Sequence, residues 1–181
     1  MWRYVINENL KLAIPNPNRD AQKLFELIDE SRESIQKWLP WAANLKSTAD
    51  EVKFLKHVNI NFGMRESLNV VIYDKQQPVG MISCDHFKAN KSANIGYWLA
   101  EGARGHGVMH QAVLAMVDIG FQDYDLNRIE IEAAVENMGS NHVAQKAGFK
   151  LEGTLRAHHL LLDGRFHDYN LYSLLRSEWQ K

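Results

Sequence analysis

Residues 96–112 read G-Y-W-L-A-E-G-A-R-G-H-G-V-M-H-Q-A, and this stretch decides the fold. An alternating strand runs into a loop with glycines at 102, 105 and 107 and an arginine at 104, and a helix then opens without an intervening proline. Glycines let backbone N–H groups converge on an anion, and the positive end of the following helix faces the same point. A guanidinium at Arg104 adds a fork for phosphate oxygens. The expected ligand is a pyrophosphate.

Three phosphate-binding designs compete for this loop. A P-loop needs Gly-Lys-Ser or Gly-Lys-Thr, and neither occurs in the chain. A dinucleotide fingerprint needs a third glycine, but Gly105-His106-Gly107 is followed by Val108, Met109 and His110. The third design is R/Q-x-x-G-x-G/A, the pyrophosphate loop of acetyl-CoA-dependent N-acetyltransferases. Arg104 and Gly107 match its first and fourth positions, and Met109 stands in place of its final small residue.

About thirty residues on, N-M-G-S-N-H-V-A-Q-K-A-G-F-K-L-E-G (137–153) resembles the second half of the GNAT acetyltransferase core, with Asn137, Ser140, Gly148, Phe149, Glu152 and Gly153 in place. W-L-P-W at 38–41, I-G-Y-W-L at 95–99 and D-G-R-F-H-D at 163–168 make the chain similar to the RimL/RimJ-like branch, the ribosomal-protein N-terminal acetyltransferases. The resemblance covers nearly the whole chain. It implies an acetyl-CoA N-acyltransferase fold of the α/β class, with a mixed, mostly antiparallel sheet and helices on both faces.

Composition fits that expectation. The 181 residues suit one domain spanning 1–181; 45% are apolar and 24% charged, enough for a full core. A net charge of −1 and the lack of a basic run argue against a nucleic-acid partner. No run of eighteen apolar residues and no apolar signal core point to a cytoplasmic protein without a membrane span. One cysteine, Cys84, allows no intrachain disulfide and reads as a buried neutral thiol.

Periodicity predicts a strand over 10–14, ended by Pro15 and Pro17, then a helix capped by Asn18 carrying Leu24, Leu27 and Ile28. A short helix follows near 33–39. A third starts at Ser47 or Thr48, carries Val52, Leu55, Val58 and Phe62, and ends at Gly63. Strands are predicted at 68–73, 78–87, 94–99 and 129–135, with a helix over 108–121 between the last two. A helix over 140–147 and a hairpin of 149–162 with 166–175, turning at Asp163-Gly164, complete the chain.

The chemistry implied is transfer of an acetyl group from the coenzyme A thioester to a primary amine, by direct attack in a ternary complex. Trp98, Leu99 and Ala100 are placed to bind the pantetheine arm as an added strand. The amides of Gly105, His106, Gly107, Val108 and Met109, with the Arg104 side chain, hold the diphosphate. The resemblance gives Asn137 a contact to the coenzyme arm and makes Asn141 a second candidate; a turn-forming role is the alternative for Asn137. Ser140 matches the position from which a hydroxyl protonates the leaving thiolate, and it also suits an N-cap.

The attacking amine must be neutral. An α-amino group of pKa about 7.8 is roughly a tenth neutral at pH 7, against less than about a thousandth for lysine. A protein N-terminus therefore needs less help from a base. For that base the sequence leaves His159 (beside His158), Asp85 (beside His86) and a water relay open. Trp38 and Trp41 read as core anchors or as part of the acceptor wall. His106 and His110 have a zinc spacing without the accompanying glutamate, so no metal is expected. Small amines (polyamines, aminoglycosides, amino acids) are the alternative acceptors, and a non-catalytic acyl-CoA sensor is the alternative of a different class. The resemblance also implies a homodimer formed through the sheet edge or the C-terminal hairpin.

Overall fold

The computed structural model describes residues 2–87 and 89–179. The chain runs β1 (Arg3–Val5), β2 (Leu10–Ala13), α1 (Pro17–Glu30), α2 (Arg32–Gln36), a 3₁₀ turn (Pro40–Ala43), α3 (Thr48–Gly63), β3 (Leu68–Asp74), β4 (Gln77–Asp85) and β5 (Ser92–Leu99). It continues through α4 (Val108–Gln122), β6 (Arg128–Ala134), α5 (Met138–Lys146), β7 (Lys150–Leu160) and β8 (Phe166–Leu175). The strands form one eight-stranded sheet in the order β1-β2-β3-β4-β5-β6-β8-β7. Every pairing is antiparallel except β5 with β6.

Two apolar layers cover the sheet. On one face α4 sets Val113, Met116 and Val117 against Val70, Ile72, Ile82, Ile95 and Ile129. On the other, α1 and α3 set Leu24, Ile28 and Leu55 against Val71, Tyr73, Met81 and Trp98. Successive residues of a strand face opposite sides, so the run Val70-Val71-Ile72 is buried on both faces of the central strand β3. Each such side chain contributes roughly 1.5–3 kcal/mol by leaving water.

Several boundaries differ from the sequence expectation for identifiable reasons. Asn16, not Asn18, caps α1: its side chain accepts from the amides of Asn18 and Arg19 at 3.1 and 3.2 Å. Pro17 occupies the first helical position, where its fixed φ and missing N–H cost nothing. Asn137, not Ser140, caps α5, its side-chain oxygen accepting from the Ser140 amide at 3.2 Å. The second helix ends at Gln36; its expected remainder, residues 37–39, is a turn leading into the 3₁₀ turn that Pro40 opens. Strand β1 was not expected, because R-Y-V is short and mostly exposed; it is held by pairing with β2.

Two features frame the site. Gly80 lies so close to β5 that an added Cβ would sit 2.3 Å from the Trp98 carbonyl oxygen. Glu152, from the second sequence phrase, takes a bidentate grip from Arg128 at 2.5 and 2.6 Å, tying β7 to β6 across β8. That grip holds the Glu152 carboxyl down at about 2.

Candidate active site

The parallel pairing of β5 with β6 lasts three residues, Ser92 to Asn94 against Arg128 to Glu130. Beyond it the two strands diverge, and a cleft of about 580 Å³ opens between Ile95–Leu99 on one side and Ile131–Ala134 on the other. Past Asn94, β5 pairs with β4 alone, so its second edge is open to an extended ligand with amide groups. The start of α4 closes one end of the cleft through Gly105, Gly107, Val108 and Met109.

The glycine loop has the geometry an anion needs. Gly105 and Gly107 take φ of +82° and +75°, a left-handed backbone that L side chains resist. Hydrogen bonds within the turn end with the Ala103 and Arg104 amides, which donate to the carbonyls of Ala100 and Glu101. They resume where the Gln111 amide donates to the Gly107 carbonyl. The intervening amides, including those of the first turn of α4, are left for an outside acceptor at the positive helix end. The Arg104 guanidinium is turned to the wall: Nε donates to the Leu99 carbonyl at 3.0 Å and Nη2 to Ser34 Oγ at 3.0 Å. It thus braces the loop against β5 and α2, with Nη1 making no hydrogen bond among the described residues. His106 is exposed and Ala100 is bonded to the Val79 carbonyl; neither lines the cleft, whereas Trp98 and Leu99 do.

A hydroxyl pair stands across the cleft. Tyr97 Oη and Ser140 Oγ lie 2.9 Å apart, one from β5 and one from α5. Burial pushes the Tyr97 phenol up to about 12, so it is protonated at neutral pH, and either hydroxyl can donate to the other. Sequence reasoning found Ser140 and missed Tyr97, which lies 43 residues away along the chain. Asn137 lines the cleft with its oxygen engaged by the helix cap. Asn141 is different. Its Nδ2 donates to the carbonyls of Ala134 and Asn137, and its Oδ1 accepts from Asn170 and Tyr172, all at 2.8 Å. These four bonds exhaust the amide's capacity, so Asn141 ties α5 to β6 and β8 and is absent from the cleft lining.

The candidate bases fall in two places. Near the cleft, Glu132 lines the wall, and His158 Nε2 meets its carboxylate at 3.0 Å while His159 Nε2 is 3.8 Å away. Ala157, at φ +48°, kinks β7 so that these neighbouring histidines lie on one side, with ring centroids 4.5 Å apart. His159 packs on Tyr169, which lines the cleft, but does not line it itself. The ligand atoms of Glu132, His158 and His159 lie within 4.8 Å of one another, the one metal-like grouping among the described residues; His106 and His110 have no part in it.

On the α1–α3 face a second cavity, of about 500 Å³, shares Leu39, Gly96, Tyr97 and Trp98 with the cleft. Asp85 lies there, accepting from Ser83 Oγ at 2.5 Å and from Asn69 Nδ2 at 2.9 Å. The two tryptophans separate: Trp38 lines the cleft and Trp41 the second cavity. Glu51 of α3 also lines this cavity, 2% exposed, with no hydrogen-bond partner for Oε1 among the described residues. Desolvation pushes its carboxyl up to about 7. Sequence reasoning missed Glu51, although it stands four residues before Leu55 and seven before Val58, on the buried stripe itself. Cys84 is buried in the core, where burial raises the thiol and keeps it neutral.

The chain that builds this splayed strand pair and glycine-capped helix matches the model of the acetyltransferase (GNAT) domain over residues 10–150. The chain belongs to the GNAT acetyltransferase family. It is 32% identical to the ribosomal-protein-serine acetyltransferase of Escherichia coli, over 93% of each chain. It is 34% identical to YdaF of Bacillus subtilis, over 99% of this chain and 98% of that one. Among solved structures, RimL, the ribosomal L7/L12 α-N-protein acetyltransferase in complex with coenzyme A, superposes with a TM-score of 0.93 at 25% identity, covering 98% of this chain and 100% of the other. The microcin C7 self-immunity acetyltransferase MccE, in complex with acetyl-CoA and AMP, gives 0.88 at 30% identity over 94% of each. This chain is accordingly an acetyl-CoA-dependent N-acetyltransferase. No helix among the described residues is long and apolar enough to cross a membrane.

Proposed function

We propose that this acetyltransferase modifies the N-terminal amine of a ribosomal protein. The observation that carries the reading is the shared wall: Gly96–Trp98 borders both the coenzyme-sized cleft and the second cavity on the opposite face of the sheet. A thioester carried in the one meets an amine carried in the other without a covalent enzyme intermediate. Relatives named for ribosomal-protein acetylation support the choice of acceptor.

In this reading the amides of residues 105–109 hold the diphosphate, Nη1 of Arg104 assists, and the free edge of β5 at Trp98 and Leu99 takes the pantetheine arm. The neutral amine attacks the thioester carbonyl. As the carbon–sulfur bond breaks, the thiolate takes a proton from the Ser140–Tyr97 pair. The amine nitrogen loses two protons overall, one replacing the proton given to sulfur and one leaving to solvent through a base. Asn137 contributes its free Nδ2 to the coenzyme. A cytoplasmic location is what this acceptor implies. The uncovered edge of β7, with exposed Leu151, Leu160, Leu162 and Phe166 on its hairpin and turn, supports pairing of two copies at this end of the sheet. A monomer by sedimentation would remove that part.

The test is thiol release from acetyl-CoA with synthetic N-terminal peptides of ribosomal proteins, with polyamines and amino acids alongside. The expected product is a peptide heavier by one acetyl group on its α-nitrogen. Turnover confined to small amines would refute the protein acceptor.

A further inference from the structure

We propose that the second cavity is the acceptor's ammonium site and that Glu51 is the carboxylate that receives the amine and takes its first proton. The inference rests on the acetyl-transfer reading above and adds the chemistry of the acceptor's docking.

The cavity has a definite character. Its walls are largely apolar, through Ile28, Leu45, Phe54 and Met81, and two carboxylates, Glu51 and Asp85, line it. Among the described residues no lysine or arginine lines it. Such a surface selects a cation of modest size with an apolar or small neighbour. The carboxylates are not equivalent. Asp85 is already satisfied by Ser83 and Asn69. Glu51 is buried with an unpartnered oxygen, an expensive arrangement unless a donor arrives.

The helix does not need this glutamate. Ser47 and Asp50 make the cap of α3 between them: Ser47 Oγ donates to Asp50 at 2.8 Å and accepts from the Asp50 amide at 3.2 Å. Glu51 is one residue further on, turned inward with Leu55 and Val58. An apolar side chain would fill that stripe at lower cost, so the carboxylate is explained by what enters the cavity.

The proton balance is straightforward. A protonated amine, R–NH₃⁺, donates a hydrogen bond to ionised Glu51 and transfers one proton to it, leaving R–NH₂ with a free lone pair beside the β5 wall. The other proton lost from nitrogen compensates the one delivered to the thiolate. Glu51 returns its proton to solvent when the product amide, no longer a cation, leaves. A carboxyl near 7 is matched to both halves of this exchange. Among the described residues, the other titratable groups lining the cavity are Asp85 from β4 and Tyr97 from β5.

The experiment measures binding of alaninamide and of uncharged N-acetylalaninamide to coenzyme A-loaded wild type, Glu51→Gln and Asp85→Asn by calorimetry. It is paired with amine and acetyl-CoA KM values for any peptide that is turned over. Alaninamide is expected to bind wild type at least ten-fold tighter than its acetylated form and to lose at least ten-fold in Glu51→Gln, with coenzyme affinity unchanged. The Asp85→Asn loss should be smaller. Thermal melting establishes that each variant is folded. Equal alaninamide affinity in wild type and folded Glu51→Gln, a larger loss in Asp85→Asn, or no amine binding by wild type would overturn the proposal. Wild type that binds alaninamide through Glu51 yet acetylates no peptide N-terminus would refute the protein acceptor and leave this site standing.

Discussion

Replacing Glu51 by glutamine keeps the shape of the side chain and deletes its charge, so it isolates what burial of that charge costs. In the folded chain the carboxyl titrates near 7, against an ordinary value of 4.5. Between those limits the folded state holds a proton that the unfolded chain has released. The contribution of this group to stability is therefore fully present below about pH 4.5 and is lost as pH rises through 7. At 1.36 kcal/mol per pKa unit, the span corresponds to about 3 kcal/mol, with about 2 kcal/mol lost between roughly pH 5.5 and 8.5. Glutamine behaves as the protonated acid at every pH. Urea unfolding of both proteins across that range should show Glu51→Gln gaining on wild type by about 2 kcal/mol as pH rises. Taking the difference between the two removes other titrations, such as that of His167, whose pKa is raised first by its hydrogen bond to Asp163. A difference that stays flat with pH would refute the buried, uncompensated state of Glu51.

Three further outcomes are expected. Ser140→Ala and Tyr97→Phe should each lower kcat by about 10²-fold or more with little change in acetyl-CoA KM, and the double variant should lose little beyond either single one, as for two parts of one donor; full additivity in steady-state kinetics would separate them. Arg104→Ala should raise the acetyl-CoA KM by about ten-fold, because removing the guanidinium frees the loop from Leu99 and Ser34 and costs roughly 1.5–3 kcal/mol of charge-assisted bonding; an unchanged constant would contradict its role. Gly80→Ala should destabilise by about 1–3 kcal/mol or more, since its Cβ meets backbone and not a side-chain tip; an unaltered Tm would refute the close approach of β4 and β5.

How much of this was readable beforehand follows from the kind of interaction involved. The glycine loop was legible because a backbone that must turn left-handed and expose amides leaves glycine at Gly105 and Gly107. The strands other than β1, and the helix α4, were legible because apolar period marks a buried face. Glu51 was passed over because a stripe is recognised by its apolar members, and an acid among them looks like an interruption. Tyr97 gains its meaning only from Ser140, which another element brings across the cleft. Asn141 sits in a family phrase, but four short bonds commit it to holding α5 in place. The pairing of His158 and His159 with Glu132 depends on a kink at Ala157, a non-glycine residue at positive φ that no local rule signals.

The wall common to both cavities is a single strand, gripped from one side by β4 and bare on the other beyond Asn94. On its coenzyme side, recognition is written chiefly in main-chain atoms, which substitution does not erase. On its far side it is written in Trp41, Glu51, Phe54 and Asp85, each exchangeable one codon at a time. Such a division lets descendants of one ancestor change clientele while keeping the same donor, and it locates the places to edit when a new acceptor is wanted.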